Sequence, residues 1–455
     1  MKTKFFTRLC ALTIMGLSLI PFLSHAQESL QFYRPNDARG INVFETTKVD
    51  TVPFKKLWVK VGGNFELTFQ GLGESNTANP VTQAPYVGNV TSLIPLEHAF
   101  ELPMANLAID VQLADGVRMN LTEYLASRHH EDTWVKGGYI QFDKLPFLHS
   151  DFFDNLMKSV TIDIGQNDVD YGDQHFRRSD GGNTIYNPFI ENYIMDEFAT
   201  ELGAQFYYHC KTGLFGMIGI TNGELDETVN APTKIDPITG QVNKFDPAIL
   251  GKLGFDKQVN KDFRVRISGS FYNLNSGNSN TLFSGDRTGS HYFDVMEIQA
   301  VANGTTLSDA NDYSFTSGRV SPGFSEEVHT FMGNLFLKYD GLEFFATAEN
   351  AQGRAISETV NRWATQYAAD VIYRFPQDKQ NFWIGYRYNT LAARLAGGVG
   401  DVTVNRSAGA FGWFLTKNIM MKLEYVDQTY SGYPVTNILN GGQFHGVMAE
   451  ASIAF

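Results

Sequence analysis

From Leu57 onward the chain alternates. Leu57, Val59, Val61, Phe65, Leu67 and Phe69 hold odd positions, with Lys60, Asn64, Glu66, Thr68 and Gln70 between them. Successive side chains of a β-strand point to opposite faces, so this stretch has one apolar and one polar face. Leu107, Ile109, Val111 and Leu113 repeat the separation against Asn106, Asp110 and Gln112. Phe263, Val265, Ile267 and Phe271 do so against Arg264, Arg266, Ser268 and Ser270. Further runs include Phe382, Ile384, Tyr386, Tyr388 and Ile419, Met421, Leu423, Tyr425. The pattern predicts strands at 57–70, 104–114, 117–125, 133–143, 160–168, 197–210, 213–221, 248–257, 262–275, 327–339, 341–350, 361–375, 380–392, 402–416, 418–429 and 442–455. Most are long enough for a tilted strand to cross a bilayer, which takes about 9–11 residues. An even total of roughly sixteen suits a closed transmembrane antiparallel β-barrel, an all-β fold. The count could differ by about two strands either way, with most of the room for a further strand within 280–326.

The links between strands point the same way. Alternate links are short, as at Asp115-Gly116, Lys211-Thr212-Gly213, Asp340-Gly341 and Thr416-Lys417, and Asp-Gly pairs supply the positive φ of tight hairpins. The intervening links, 71–103, 169–196, 222–247, 276–326 and 430–441, are long. Short periplasmic turns and long extracellular loops are the asymmetry of an outer-membrane barrel. One periplasmic link, 144–159, is longer, with a short helix expected over 151–158. A soluble sandwich averages strands of about five or six residues and gives no reason for such alternation. No fixed repeat supports a solenoid. Outward aromatics near the periplasmic strand ends, namely Tyr208, Tyr339, Tyr373, Phe414 and Phe455, are expected to form an interfacial girdle. The last strand alternates through His445, Val447, Ala449, Ala451 and Ile453 to the terminal Phe455. That ending resembles the carboxy-terminal signature which outer-membrane barrels present to their assembly machinery.

The first residues read as an address. Lys2, Lys4 and Arg8 precede an apolar run from Leu9 to Leu23, and Ser24-His25-Ala26 offers a cleavage site. We therefore expect a signal peptide over 1–26, an N-terminal periplasmic or plug-like segment over 27–55, and the barrel over 56–455. Removal of the leader leaves Cys210 alone, so no intrachain disulfide forms in the mature chain. The formal charge of −13 falls to −16 when the three leading cations go. Such acidity excludes nucleic acid as an expected partner.

Charges on the inward face need water or one another at membrane depth. The candidates for the pore lining are Glu66, Asp110, Arg264, Arg266, Asp370, Arg374, Arg387, Lys422 and Glu424, together with Lys60, Lys136, Asp163, Glu201, Glu343 and Glu450. Their mixed signs give no clear ion preference, and paired across the lumen they would plug it. Neither G-x-S-x-G nor H-E-x-x-H occurs, so no enzyme is expected. His129-His130 beside Glu131 and Asp132 reads as a solvated loop pair rather than a metal site, and no cofactor is implied.

Over nearly its whole mature length the chain resembles a porin-type barrel of Gram-negative bacteria. More narrowly, Gln31-Phe32-Tyr33-Arg34-Pro35-Asn36-Asp37, Tyr171-Gly172-Asp173, the run His175 to Asp180, and Tyr186-Asn187-Pro188-Phe189 resemble stretches of Bacteroidota outer-membrane barrels that mostly lack an assigned activity. The resemblance implies that the third long loop, 169–196, folds into the barrel and places His175, Arg177, Arg178 and Asp180 at a constriction; its arginines would tilt selectivity toward anions. It also implies passive diffusion of small hydrophilic solutes or ions, since 27–55 is too short for the plug of an energised transporter. Outer-membrane lipids, lipopolysaccharide and the barrel-assembly machinery are the other expected partners, and assembly as a homotrimer is left open. The rival expectation is a plugged barrel whose long outer loops, 276–326 above all, bind a partner, glycan or cargo.

Overall fold

The protein is seen in a computed structural model, which describes residues 29–455 apart from 47, 83–85, 102, 127–131, 226–228, 230, 287, 300, 303–304 and 307–315. The expected leader and the His129-His130 pair lie outside the described residues. Sixteen long strands follow in chain order. They are β1 (Trp58–Ser75), β2 (Met104–Ala114), β3 (Val117–Ala126), β4 (Asp132–Phe142), β5 (Val160–Asp168), β6 (Thr200–His209), β7 (Leu214–Thr221) and β8 (Ala248–Gln258). The second half contributes β9 (Phe263–Leu274), β10 (Glu327–Tyr339), β11 (Leu342–Arg354), β12 (Arg362–Phe375), β13 (Phe382–Leu395), β14 (Gly400–Thr416), β15 (Ile419–Ser431) and β16 (Gln443–Ala454). Each pairs antiparallel with its neighbour in sequence. The first also pairs with the last, from Asn64↔Ala454 to Ser75↔Gln443. The sheet is a closed barrel, as the alternation predicts.

The two faces of every strand are inverted relative to a water-soluble protein. Val59, Leu253, Ile267, Phe331, Val371 and Leu423 are exposed on the outside, while Glu66, Arg266, Asp370 and Glu424, on four of the same strands, are at most 1% exposed. A continuous apolar exterior over a closed hydrogen-bond ladder is stable only where hydrocarbon surrounds it. Tyr208, Tyr339, Tyr373 and Phe455 face outward at one rim. Beside Tyr373, the rings of Phe375, Phe382 and Trp413 stack in file, with successive centroids 6.0, 5.8 and 5.6 Å apart. Phe414 does not join the girdle. It is 6% exposed and packs inside against Trp383 at 5.3 Å, because β14 turns its odd positions Phe411, Trp413 and Leu415 outward.

The turns at the girdled rim are tight. Gly116, Gly213 and Asp340 adopt positive φ there, and helix α1 (Asp151–Leu156) fills the one longer link. At the opposite rim the described residues of the long loop 276–326 add no strand to the barrel. Its short segments Val301–Ala302 and Thr305–Thr306 form a small ladder with Tyr86–Val87. The core of the molecule lies inside the cylinder. Tyr171, Ile190, Ile194 and Met195 from the third long loop meet Leu282, Tyr292 and Val295 from the 276–326 loop, against the inward Leu72, Met332, Val426 and Phe444. A second knot joins Ile185 and Phe189 to Ile372, Trp383 and Met420.

Candidate functional site

The loop that leaves β5 at Asp168 turns into the barrel and stays there until β6 begins at Thr200. Almost every residue between is buried. Gly172, at φ 74°, turns the loop where a β-carbon would collide with Met332. Asn187 pins the following turn, receiving the Phe189 N–H at 3.1 Å. The loop is then tied to the far wall. Trp383 Nε1 donates to Pro188 O at 3.1 Å, Lys422 Nζ to Phe189 O at 2.8 Å, and Ile190 N to Glu424 at 2.9 Å.

A second segment, 31–55, straps the short-turn rim. Gln31 receives the N–H of Gly116 at 2.8 Å, Ala38 N donates to Lys417 O at 2.9 Å, and Asn42 donates to Glu343 at 2.6 Å. Glu45 pairs with Arg266 at 2.7 Å, and Lys48 with Asp143 at 2.7 Å. These partners lie on β9, β11 and three different turns or links, so the strap reaches most of the way round the mouth. Phe32 and Asn42, at φ 49° and 56°, provide two of its bends.

Between strap, loop and the wall from β3 to β6 lies a cavity of about 220 Å³. Five carboxylates line it, Glu45, Asp163, Asp168, Asp170 and Asp180, against three arginines, Arg34, Arg118 and Arg178. Each arginine has a partner, and of their nitrogens Arg118 Nε is buried without a hydrogen bond. Arg178 donates two hydrogen bonds to Asp196, at 3.1 and 2.6 Å. Arg34 donates to the carbonyls of Gly40 and Phe176 and stacks 3.8 Å over Tyr186. Arg118 donates to Gln141 at 2.5 Å. Asp163 Oδ1 and Asp170 Oδ2, by contrast, are buried without a hydrogen-bond partner. His175 also faces the cavity; burial first, then Lys252, Arg178 and Arg34, pushes its imidazole down to about 3. It is therefore neutral near pH 7 and adds no positive charge.

The four residues expected at a constriction thus separate. His175, Arg178 and Asp180 line the cavity, Asp180 also bonding Lys136. Arg177 does not line it. It bonds Asn42 and sits 5.3 and 4.9 Å over the rings of Phe336 and Phe345, with Glu343 at 3.8 Å. The expected lining residues all point inward, and most meet protein. Arg387 donates two hydrogen bonds to Asp370, at 2.8 and 2.9 Å; Arg374 donates one to Glu343 at 2.9 Å, and Lys422 pairs with Glu450 at 2.7 Å. Arg266 meets Asp173 at 2.7 Å and Arg264 meets Asp256 at 2.6 Å. Asp110 accepts from Asn120 at 2.9 Å, and Glu66 from Thr68 at 2.5 Å. Tyr292 and Ile190 share Glu424. Glu201 bonds Tyr272 at 2.7 Å and Lys60 reaches Tyr33 at 3.4 Å.

Glu45, Arg34, Arg118, Asp168 and Asp170 are cavity residues that the strand pattern did not single out. For the last two a signal existed: Asp168 and Asp170 share one parity where β5 hands over to the loop. Glu45 and Arg34 had none, since they precede the first strand.

These features define an outer-membrane-type β-barrel, sixteen-stranded among the described residues, closed and with its third long loop folded inside. No protein-family model matches the chain, and no curated protein matches it. Among solved structures it is similar to an anion-selective porin from Comamonas acidovorans, with 9% identity and TM-score 0.48 over 88% of this chain and 100% of that one. It is similar to the outer membrane channel DcaP of Acinetobacter baumannii, with 12% identity and TM-score 0.46 over 88% and 98%. OmpT of Vibrio cholerae, an outer membrane protein, gives 8% and 0.46 over 89% and 99%. The fold rests on the closed ladder itself.

Proposed function

We propose that the protein is a passive diffusion channel for small hydrophilic solutes and ions, with its narrowest part at the cavity between the third loop and the β3–β6 wall. The observation that carries this reading is the pair of carboxylate oxygens, Asp163 Oδ1 and Asp170 Oδ2, that stand buried and unbonded in the cavity lining while each arginine there holds a partner. A water-filled site with spare acceptors attracts cations and hydrogen-bond donors, so the preference is for cations. The arginines of the loop, which by themselves suggested anions, are neutralised by Asp196, by Asn42 with Glu343, and by aromatic faces.

The filling of the barrel favours one second reading. Strap, third loop and 276–326 loop together occupy much of the lumen, which supports a plugged barrel that binds a partner through its outer loops.

Conductance in a planar bilayer across a salt gradient separates the two. The first reading expects small steps with a reversal potential of cation-selective sign. Replacing Asp163, Asp168 and Asp170 together by Asn should move that potential toward zero, while Arg177→Gln should leave it in place. A correctly inserted chain that stays silent, both intact and after removal of the strap, would sink the diffusion reading in favour of the second.

A further inference from the structure

Outside the cavity lining, where the first and last strands meet, three buried groups converge. Glu66 comes from β1, Glu450 from β16 and His291 from the 276–326 loop, and one ligand atom of each lies within 4.8 Å of the other two. His291 is 1% exposed, and neither of its ring nitrogens has a hydrogen-bond partner. Buried imidazoles are almost always bonded, so this ring asks for an occupant. Glu450 divides its oxygens. Oε1 receives Lys422 Nζ at 2.7 Å and Thr184 Oγ1 at 2.6 Å, while Oε2 has no hydrogen bond and lies 3.9 Å from His291 Nδ1. That separation is too long for a hydrogen bond. It is within the span of two ligands that share an ion at about 2.0–2.2 Å each. The backbone fixes the histidine's place, since His291 N donates to Glu191 at 2.6 Å.

We propose that Glu66, His291 and Glu450 form a buried site for one divalent transition cation of the Zn²⁺ type. One imidazole and two carboxylates suit such an ion, and Lys422 on the outer oxygen orients Glu450 and leaves the set one net negative charge. The site has a structural consequence. Glu450 stands opposite Thr68 in the register between first and last strands, and Glu66 opposite Ser452. A bound ion therefore fastens the long loop across the seam where the barrel closes.

The test uses the untagged full chain, refolded in detergent, stripped with a chelator, re-exposed to Zn²⁺ and passed through gel filtration. The expected content is about one Zn²⁺ per chain, falling at least about tenfold in His291→Ala and in Glu450→Gln, because a site of three protein ligands does not survive loss of one. A variant lacking His129 and His130 should keep its zinc. Heat-dependent gel migration verifies that each variant is a closed barrel. Should the buried variants fail to close, cobalt-loaded wild-type protein decides: X-ray absorption with one imidazole among oxygen ligands supports the site, and oxygen ligands alone overturn it. A wild-type chain that holds no zinc, zinc that persists without His291, or zinc that leaves with His129 and His130 overturns the proposal.

Discussion

Residue by residue, the inward charges behave as a network of pairs rather than as a wet lining. Asp370 and Arg387 face each other directly in the β12–β13 register, both almost wholly buried. Taking away one partner strands the other charge in a site of low polarity, which costs about 3–5 kcal/mol. Asp370→Asn should therefore lower the temperature at which the barrel loses its compact gel migration, whereas Asp401→Asn, in an exposed pair with Arg394, should leave it nearly unchanged. Gly412 provides a second check. Its missing side chain makes room for the Trp383 ring, and a methyl there would overlap it. Gly412→Ala should destabilise by about 1–3 kcal/mol through overpacking, read from the same melting shift. The alternation identified Asp370 and Arg387 as inward. It could not show them as partners, because register is set by whole strands meeting and not by either residue's neighbours. Still less could it join Glu45 to Arg266, which are 221 residues apart.

At the scale of elements, strands were legible and the segments inside the barrel were not. A strand that separates lipid from lumen must alternate along its own length, so the requirement is written locally. A loop packed inside needs only partners on the wall, and those are dispersed over the chain. Inward apolar residues such as Met332, Phe336 and Phe345 were the available hint, since a water-filled lumen has no use for them. The strap makes a distinct expectation. It is held by individual hydrogen bonds and ion pairs to the mouth, with few apolar anchors beyond Phe32 and Phe44. Removing residues 31–55 should leave the barrel closed by the gel criterion and increase single-channel conductance severalfold. An unchanged step size would mean that the strap does not limit flow.

For the whole molecule, the closed ladder dictates what kind of object this is, while the residues within it decide what the object does. The number of strands, their order and the long and short rims follow from turn chemistry and periodicity along the chain. The acidic cavity does not, because it exists only when strap, loop and four wall strands are assembled together. The seam between β1 and β16 carries one more consequence. Its pairing joins residues almost at opposite ends of the barrel sequence, so its loop-closure cost comes due at the end of assembly. Until Gln443 to Ala454 arrive, β1 and β15 each offer a bare row of amides to whatever is nearby. Half a barrel is therefore not a weaker barrel but an adhesive edge. The last strand is the latch that leaves the sheet without an open edge.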